Sequence, residues 1–205
     1  MSIHRRLLTL FAAVCLLPVA ALAADPPALK SGPEAGKELP GAFHPYNVTG
    51  KEAGNFHCVI CPQGLDPLVL VFVRNSGLGA EKESKLLPML EGLNGVATKD
   101  AKARIAVAAV FLFDDLKDVV KNDDLRKGHV DQLNGFKTDN FNEVTLCLDS
   151  ADGPKAYGLN PDAKVTILVC SKLRVVANFA YADEAAVNTE AVLAAVKEKL
   201  GSGKK

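Results

Sequence analysis

The residues most able to do chemistry in this 205-residue chain are His57-Cys58-Val59-Ile60-Cys61-Pro62. Two thiols separated by two residues support three chemistries. A redox-active dithiol would use Cys58 to attack and Cys61 to resolve, with His57 as the neighbour that stabilises a thiolate. A static disulfide would only close the loop. A metal site would take Cys58, Cys61 and His57 as three ligands, with His44 a fourth if the chain brings it close, although no second Cys-x-x-Cys or His-x-x-x-His completes a tetrahedral set. In an extended strand the two Cα atoms would stand ~10 Å apart, against ~5.5 Å for a disulfide, so either bonded reading requires a turn here. Pro62 and Gly64 suit a turn. Pro62-Gln63-Gly64-Leu65-Asp66-Pro67 is unsuited to a helix, so no helix N-terminus is expected beside these sulfurs to lower a thiol pKa.

The remaining composition narrows the setting. His4, Arg5 and Arg6 form a basic start, Leu7 to Leu17 an apolar stretch and Ala21-Leu22-Ala23 a small-residue cleavage pattern, so residues 1–23 read as a secretory signal and the mature protein as periplasmic or secreted. The apolar stretch is shorter than the ~20 residues that span a bilayer, so no stable membrane insertion is expected after cleavage. Removing it leaves 22 basic residues (24 less Arg5 and Arg6) against 24 acidic ones. That balance argues against nucleic acid as a partner. Of the five cysteines, Cys15 falls in the apolar stretch, and Cys58, Cys61, Cys147 and Cys170 remain. Cys147 and Cys170 each sit in an apolar run, where a cysteine is most often a small filler. No glycine-rich phosphate loop, serine nucleophile elbow or His-Glu-x-x-His zinc helix is present, and no cofactor is expected.

Several elements must position the pair. Residues 24–42, rich in Pro, Gly, Lys and Glu, read as a flexible linker or a loosely attached arm. Phe43–Val48 and Asn55–Ile60 flank Gly50–Gly54 and suggest a β-hairpin. Leu68–Val73 and Ile105–Phe113 are continuous apolar runs, as in strands buried on both faces. Between them the segment from Ala80 to Asn94 carries leucines at helical spacing, with a kink expected at Pro88. Leu116 to Leu133 suggests one long or two broken helices, with His129 solvated on a polar face. Asp114-Asp115 reads as a strand stop and helix cap. Val144–Leu148 is a short strand, and Val165–Cys170 and Leu173–Phe179 form a hairpin around Ser171-Lys172. A helix capped by Asp183 closes the domain near Leu200, and residues 202–205 read as a disordered tail.

This order predicts an α/β domain over 43–201 with parallel strands first and an antiparallel pair last. It resembles the thioredoxin-like fold, a three-layer α/β/α arrangement with a mixed central sheet, here with an N-terminal β-hairpin. Lys85-Leu86-Leu87-Pro88-Met89-Leu90-Glu91 is similar to the kinked first helix of thioredoxins. Leu148-Asp149 followed by Lys155-Ala156-Tyr157-Gly158-Leu159 is similar to the segment before the last hairpin in the peroxiredoxin-like and periplasmic thiol-reductase branches.

The resemblance implies reactive cysteines at the start of the kinked helix, which corresponds here to Ser76–Glu83, and that segment holds none. It also implies a cis-proline where Lys164 stands, since Pro161 is three residues too early. The usual tryptophan is absent. The expectation is therefore an exported thioredoxin-fold protein whose displaced pair, Cys58 and Cys61, exchanges disulfides with a protein thiol or disulfide partner. The alternatives are a non-catalytic binding or structural member of the fold stapled by the same pair, and a metal-binding protein using the same cysteines.

Overall fold

A computed structural model describes residues 29–78 and 83–202. The proposed signal segment 1–23 lies outside the described residues, as does most of the tail. Six strands form one mixed sheet: β1 (Tyr46–Asn47), β2 (Leu68–Arg74), β3 (Ala106–Leu112), β4 (Val144–Asp149), β5 (Val165–Ser171) and β6 (Arg174–Tyr181), in the order β1-β4-β3-β2-β5-β6. β2, β3 and β4 run parallel, while β1, β5 and β6 pair antiparallel to their neighbours. β2 is buried along its whole apolar length because it is central and covered on both faces.

Alternation along the strands divides the core. Val69, Val71 and Val73 of β2, with Val107, Ala109 and Phe111 of β3, face α1 (Leu86–Lys99), α2 (Asp123–Phe136) and α3 (Thr189–Leu200). Leu68, Leu70 and Phe72 face the other way, onto Phe43, Cys58, Val59, Ile60 and Tyr157. Among the described residues this second face is covered by extended chain and short 3-10 turns in place of helices.

Part of that cover comes from the N-terminal arm. For its described part, residues 29–42, the expectation of a flexible linker does not hold. The Gly36 N–H donates to the Val175 carbonyl at 2.8 Å, Val175 N–H to Lys37 O at 2.9 Å and Leu39 N–H to Leu173 O at 2.9 Å, which seals the outer edge of β6 at its start. Ser31 is buried, its hydroxyl 2.6 Å from that of Thr166. The β6 turn itself is centred one residue later than expected, on Lys172 and Leu173, both with positive φ (51° and 58°), the backbone twist that a two-residue hairpin requires.

The expected hairpin is present in minimal form. Tyr46 bridges Phe56, and Asn47 exchanges backbone hydrogen bonds with Asn55 and Gly54. Its first strand then pairs with β4 at Leu148 and Cys147. α1 begins at Leu86, so Pro88 lies in the first turn, where its missing N–H costs no helical bond and no kink is needed. α3 begins later than expected, capped by Asn188, whose side chain accepts from the Ala191 N–H at 3.0 Å. No helix among the described residues is long and apolar enough to cross a membrane.

Candidate functional site: a disulfide at the start of the central strand

The chain leaves the hairpin through His57, whose N–H donates to the Pro45 carbonyl, and then turns inward. Cys58, Val59 and Ile60 are driven into the inner cluster by their own apolarity, with Cys58 4% exposed. Cys61 comes back out. It opens a three-residue 3-10 turn, Cys61–Gln63, with Pro62 in the position where a missing N–H does no harm. Gly64 ends the turn at φ 56°, and Asp66 then forms a 2.9 Å surface ion pair with Arg104, two residues before β3.

This turn brings the two cysteines together. Their Cα atoms are 5.5 Å apart and the sulfurs are bonded. The N–H of Cys61 also donates to Sγ of Cys58 at 3.0 Å. Exposure within the pair runs against the order expected from the sequence, because Cys58, assigned the attacking role, is buried and Cys61, assigned the resolving role, is exposed.

Cys58 forms part of the wall of a cavity of about 220 Å³ at the N-terminal ends of β2, β3 and β4. Leu68, Ala106 and Ala108 give it an apolar floor, and Asn47, Lys51, Gln63 and Thr145 a polar rim. His57 lines the same cavity and is half-buried, but among the described residues no hydrogen bond joins its imidazole to either sulfur. Sequence reasoning found the cysteines and missed Lys51, Gln63 and Thr145. For Lys51 a signal existed, since Gly50–Gly54 lies only a few residues before the pair.

The metal reading lacks its ligand set. No group of three or more His, Cys, Asp or Glu side chains comes together among the described residues, so His44 does not complete one. Cys147 and Cys170 are free and buried, as fillers should be. They stand on β4 and β5, with β3 and β2 between them. Burial pushes the Cys170 thiol up to about 12 and the Cys147 thiol further, so neither ionises near neutral pH. Sγ of Cys147 donates instead to Oδ1 of Asn47 at 3.3 Å.

β2 covers ~20 Å from its first to its last residue, and the disulfide precedes that strand. At the far end the chain continues through Ser76, Gly77 and Leu78, where Ser76 Oγ accepts from the Leu78 N–H at 2.9 Å. Residues 79–82 lie outside the described part. There are no cis peptide bonds among the described residues, so the bond between Ala163 and Lys164 is trans.

The same end corrects two further expectations. His129 is buried, not solvated. Its ring stacks on Phe113 with centroids 3.9 Å apart, and its nitrogens lie 2.9 Å from Asp115 Oδ1 and 3.0 Å from Gln132 Oε1. Asp114 bonds to Asn75 rather than capping a helix, and α2 starts only at Asp123.

Comparison with solved structures places this architecture. A protein provisionally described as a protein disulfide isomerase from Bacteroides thetaiotaomicron aligns with a TM-score of 0.54 at 13% identity, covering 84% of this chain and 94% of its own. One provisionally described as the thiol:disulfide interchange protein DsbE from Chlorobium tepidum gives 0.52 at 17%, covering 85% and 100%. The mitochondrial 2-Cys peroxiredoxin of Plasmodium falciparum gives 0.51 at 14%, covering 80% and 93%.

The fold is thioredoxin-like. It is also divergent, since identities this low carry the architecture alone. No family model matches the chain, and no curated protein matches its sequence. Within this thioredoxin-like fold the bonded pair lies at the start of β2, before the strand rather than beyond it.

Proposed function

We propose that this protein is an exported thiol-disulfide exchange protein that passes electrons to or from a protein partner through Cys58 and Cys61. The observation that carries this reading is the placement of the pair. The sulfurs are bonded across a tight turn, one cysteine is open to solvent, and the other walls a cavity large enough for several water molecules. Export rests on the basic, apolar and small-residue pattern of residues 1–23. An oxidising compartment would hold such a pair as a disulfide until a partner reduces it.

The competing reading is a staple, favoured by the burial of Cys58 among Val59 and Ile60. The reduction potential of the purified protein decides between them. Exchange proteins fall between about −120 and −270 mV, and that is the expected range. A value below about −300 mV would mark an inert structural bond and end the exchange proposal.

A further inference from the structure

The two sulfurs are not equivalent targets. Thiol-disulfide exchange requires a thiolate to reach the sulfur that it attacks, so access decides which one reacts. Cys58 is 4% exposed and packed in the inner cluster with Val59, Ile60 and Leu68. Cys61 is exposed, as are Pro62, Gly64 and Leu65 beside it. A cysteine presented on another protein's surface therefore meets Cys61 first. Reaching Cys58 would mean entering the cavity of about 220 Å³ behind it.

When the disulfide is attacked, the hydrogen bonding acts in the same sense. The N–H of Cys61 points at Sγ of Cys58 from 3.0 Å. A thiolate accepts such a bond more strongly than a neutral sulfur does, so the contact favours the state in which Cys58 carries the negative charge.

We infer that the pair works in the reverse of its chain order, with Cys61 joining the partner's sulfur and Cys58 serving as leaving group and resolving thiol. This rests on the exchange function proposed above. For a partner dithiol, its first thiolate attacks Sγ of Cys61. A bond forms between the partner sulfur and Cys61, the bond between Cys61 and Cys58 breaks, and its electron pair leaves on Cys58 as a thiolate. The partner's second thiolate then attacks the partner's first sulfur and releases Cys61 as a thiolate. The partner has become a disulfide, and the pair, reduced by two electrons, takes up the two protons that the partner thiols gave to solvent. In the opposite direction Cys61 attacks a partner disulfide, and Cys58 then attacks Cys61 and frees the partner.

Two measurements on the full chain test this order. First, the chemically reduced protein is treated with a limiting amount of iodoacetamide, and the label at each cysteine is read by peptide mass. About tenfold more label is expected at Cys61 than at Cys58, because the exposure of Cys61 outweighs the stabilisation of a Cys58 thiolate by the Cys61 N–H. Second, reduced Cys58→Ser and Cys61→Ser are each offered glutathione disulfide. Cys58→Ser, which keeps the exposed thiol, should form the mixed disulfide about tenfold faster. Equal or greater labelling at Cys58, or a Cys61→Ser variant that reacts as fast, overturns the order. The labelling needs no variant, so a misfolded mutant cannot mask the result. Failure of the exchange function would appear separately, as a reduction potential below the exchange range, whichever cysteine takes the label.

Discussion

The N–H of Cys61 lies 3.0 Å from Sγ of Cys58, so the two residues are held by a hydrogen bond as well as by their shared sulfur bond. The turn between them is also fixed from below, because Val59 and Ile60 are buried in the inner core cluster. The disulfide therefore closes a loop that packing already shapes.

That arrangement sets how much stability the bond contributes. A closure spanning three residues in sequence removes little entropy from the unfolded chain, about 2 kcal/mol in the loop-entropy treatment. Urea unfolding with and without a reductant should show a difference of that size, a midpoint shift of about 1 M. A loss of about 4–5 kcal/mol on reduction would instead mark the bond as a principal support of the fold.

Cys170 and Cys147 give the chain an alkaline limit. Burial raises the Cys170 thiol from its ordinary 9.0 to about 12, and raises Cys147 as well. Above pH 9 the unfolded chain loses these protons while the folded chain keeps them. Stability is therefore fully present below pH 9 and falls as pH rises toward the folded values, by about 1.4 kcal/mol per pH unit for each thiol. Urea midpoints measured from pH 8 to 11 should decline accordingly, and Cys170→Ala should flatten the decline by one thiol's share. An unchanged slope in that variant would contradict the burial of Cys170. Maleimide should label neither cysteine in the native protein at pH 8 and both in urea.

The parts of this structure that were legible in the sequence share one physical cause. Leu68–Arg74 and Ala106–Leu112 are covered on both faces, so their apolar runs are unbroken and locate the strands to within a residue or two. The order of these strands around the helices was enough to indicate the thioredoxin-like fold. The spacing of Cys58 and Cys61 is compatible with a bonded pair once a turn is granted, and equally with a metal site; the bond itself comes from the structure. Which cysteine faces outward was not legible, because that depends on Val59 and Ile60 turning into the core and on Cys61 opening the 3-10 turn. The attachment of the arm 29–42 is illegible for a different reason. Its attachment runs largely through main-chain groups, such as Gly36 N–H and Lys37 O, which leave no trace in side-chain pattern. The burial of His129 is illegible because its partner Phe113 lies outside the helix, just past the end of β3, where no periodicity within 123–136 reveals it.

The stacked histidine yields the last prediction. In α2, His129 covers Phe113 with the ring planes 2° apart and bonds to Asp115 and Gln132, whereas a solvated helix face would tolerate almost any replacement. His129→Leu keeps an apolar surface against Phe113 and leaves Asp115, whose side chain is 56% exposed, to be solvated by water. It should cost about 1 kcal/mol. His129→Ala loses the stacking as well and should cost about 2 kcal/mol. The order of urea midpoints, wild type above Leu above Ala, tests the placement, and two variants both within about 0.5 kcal/mol of wild type would refute it. Phe113 follows the end of β3 opposite Ala106, ~20 Å along the strand from the cavity beside Cys58. Neither variant should therefore change the reduction potential of the pair, which separates damage to the fold from damage to the site.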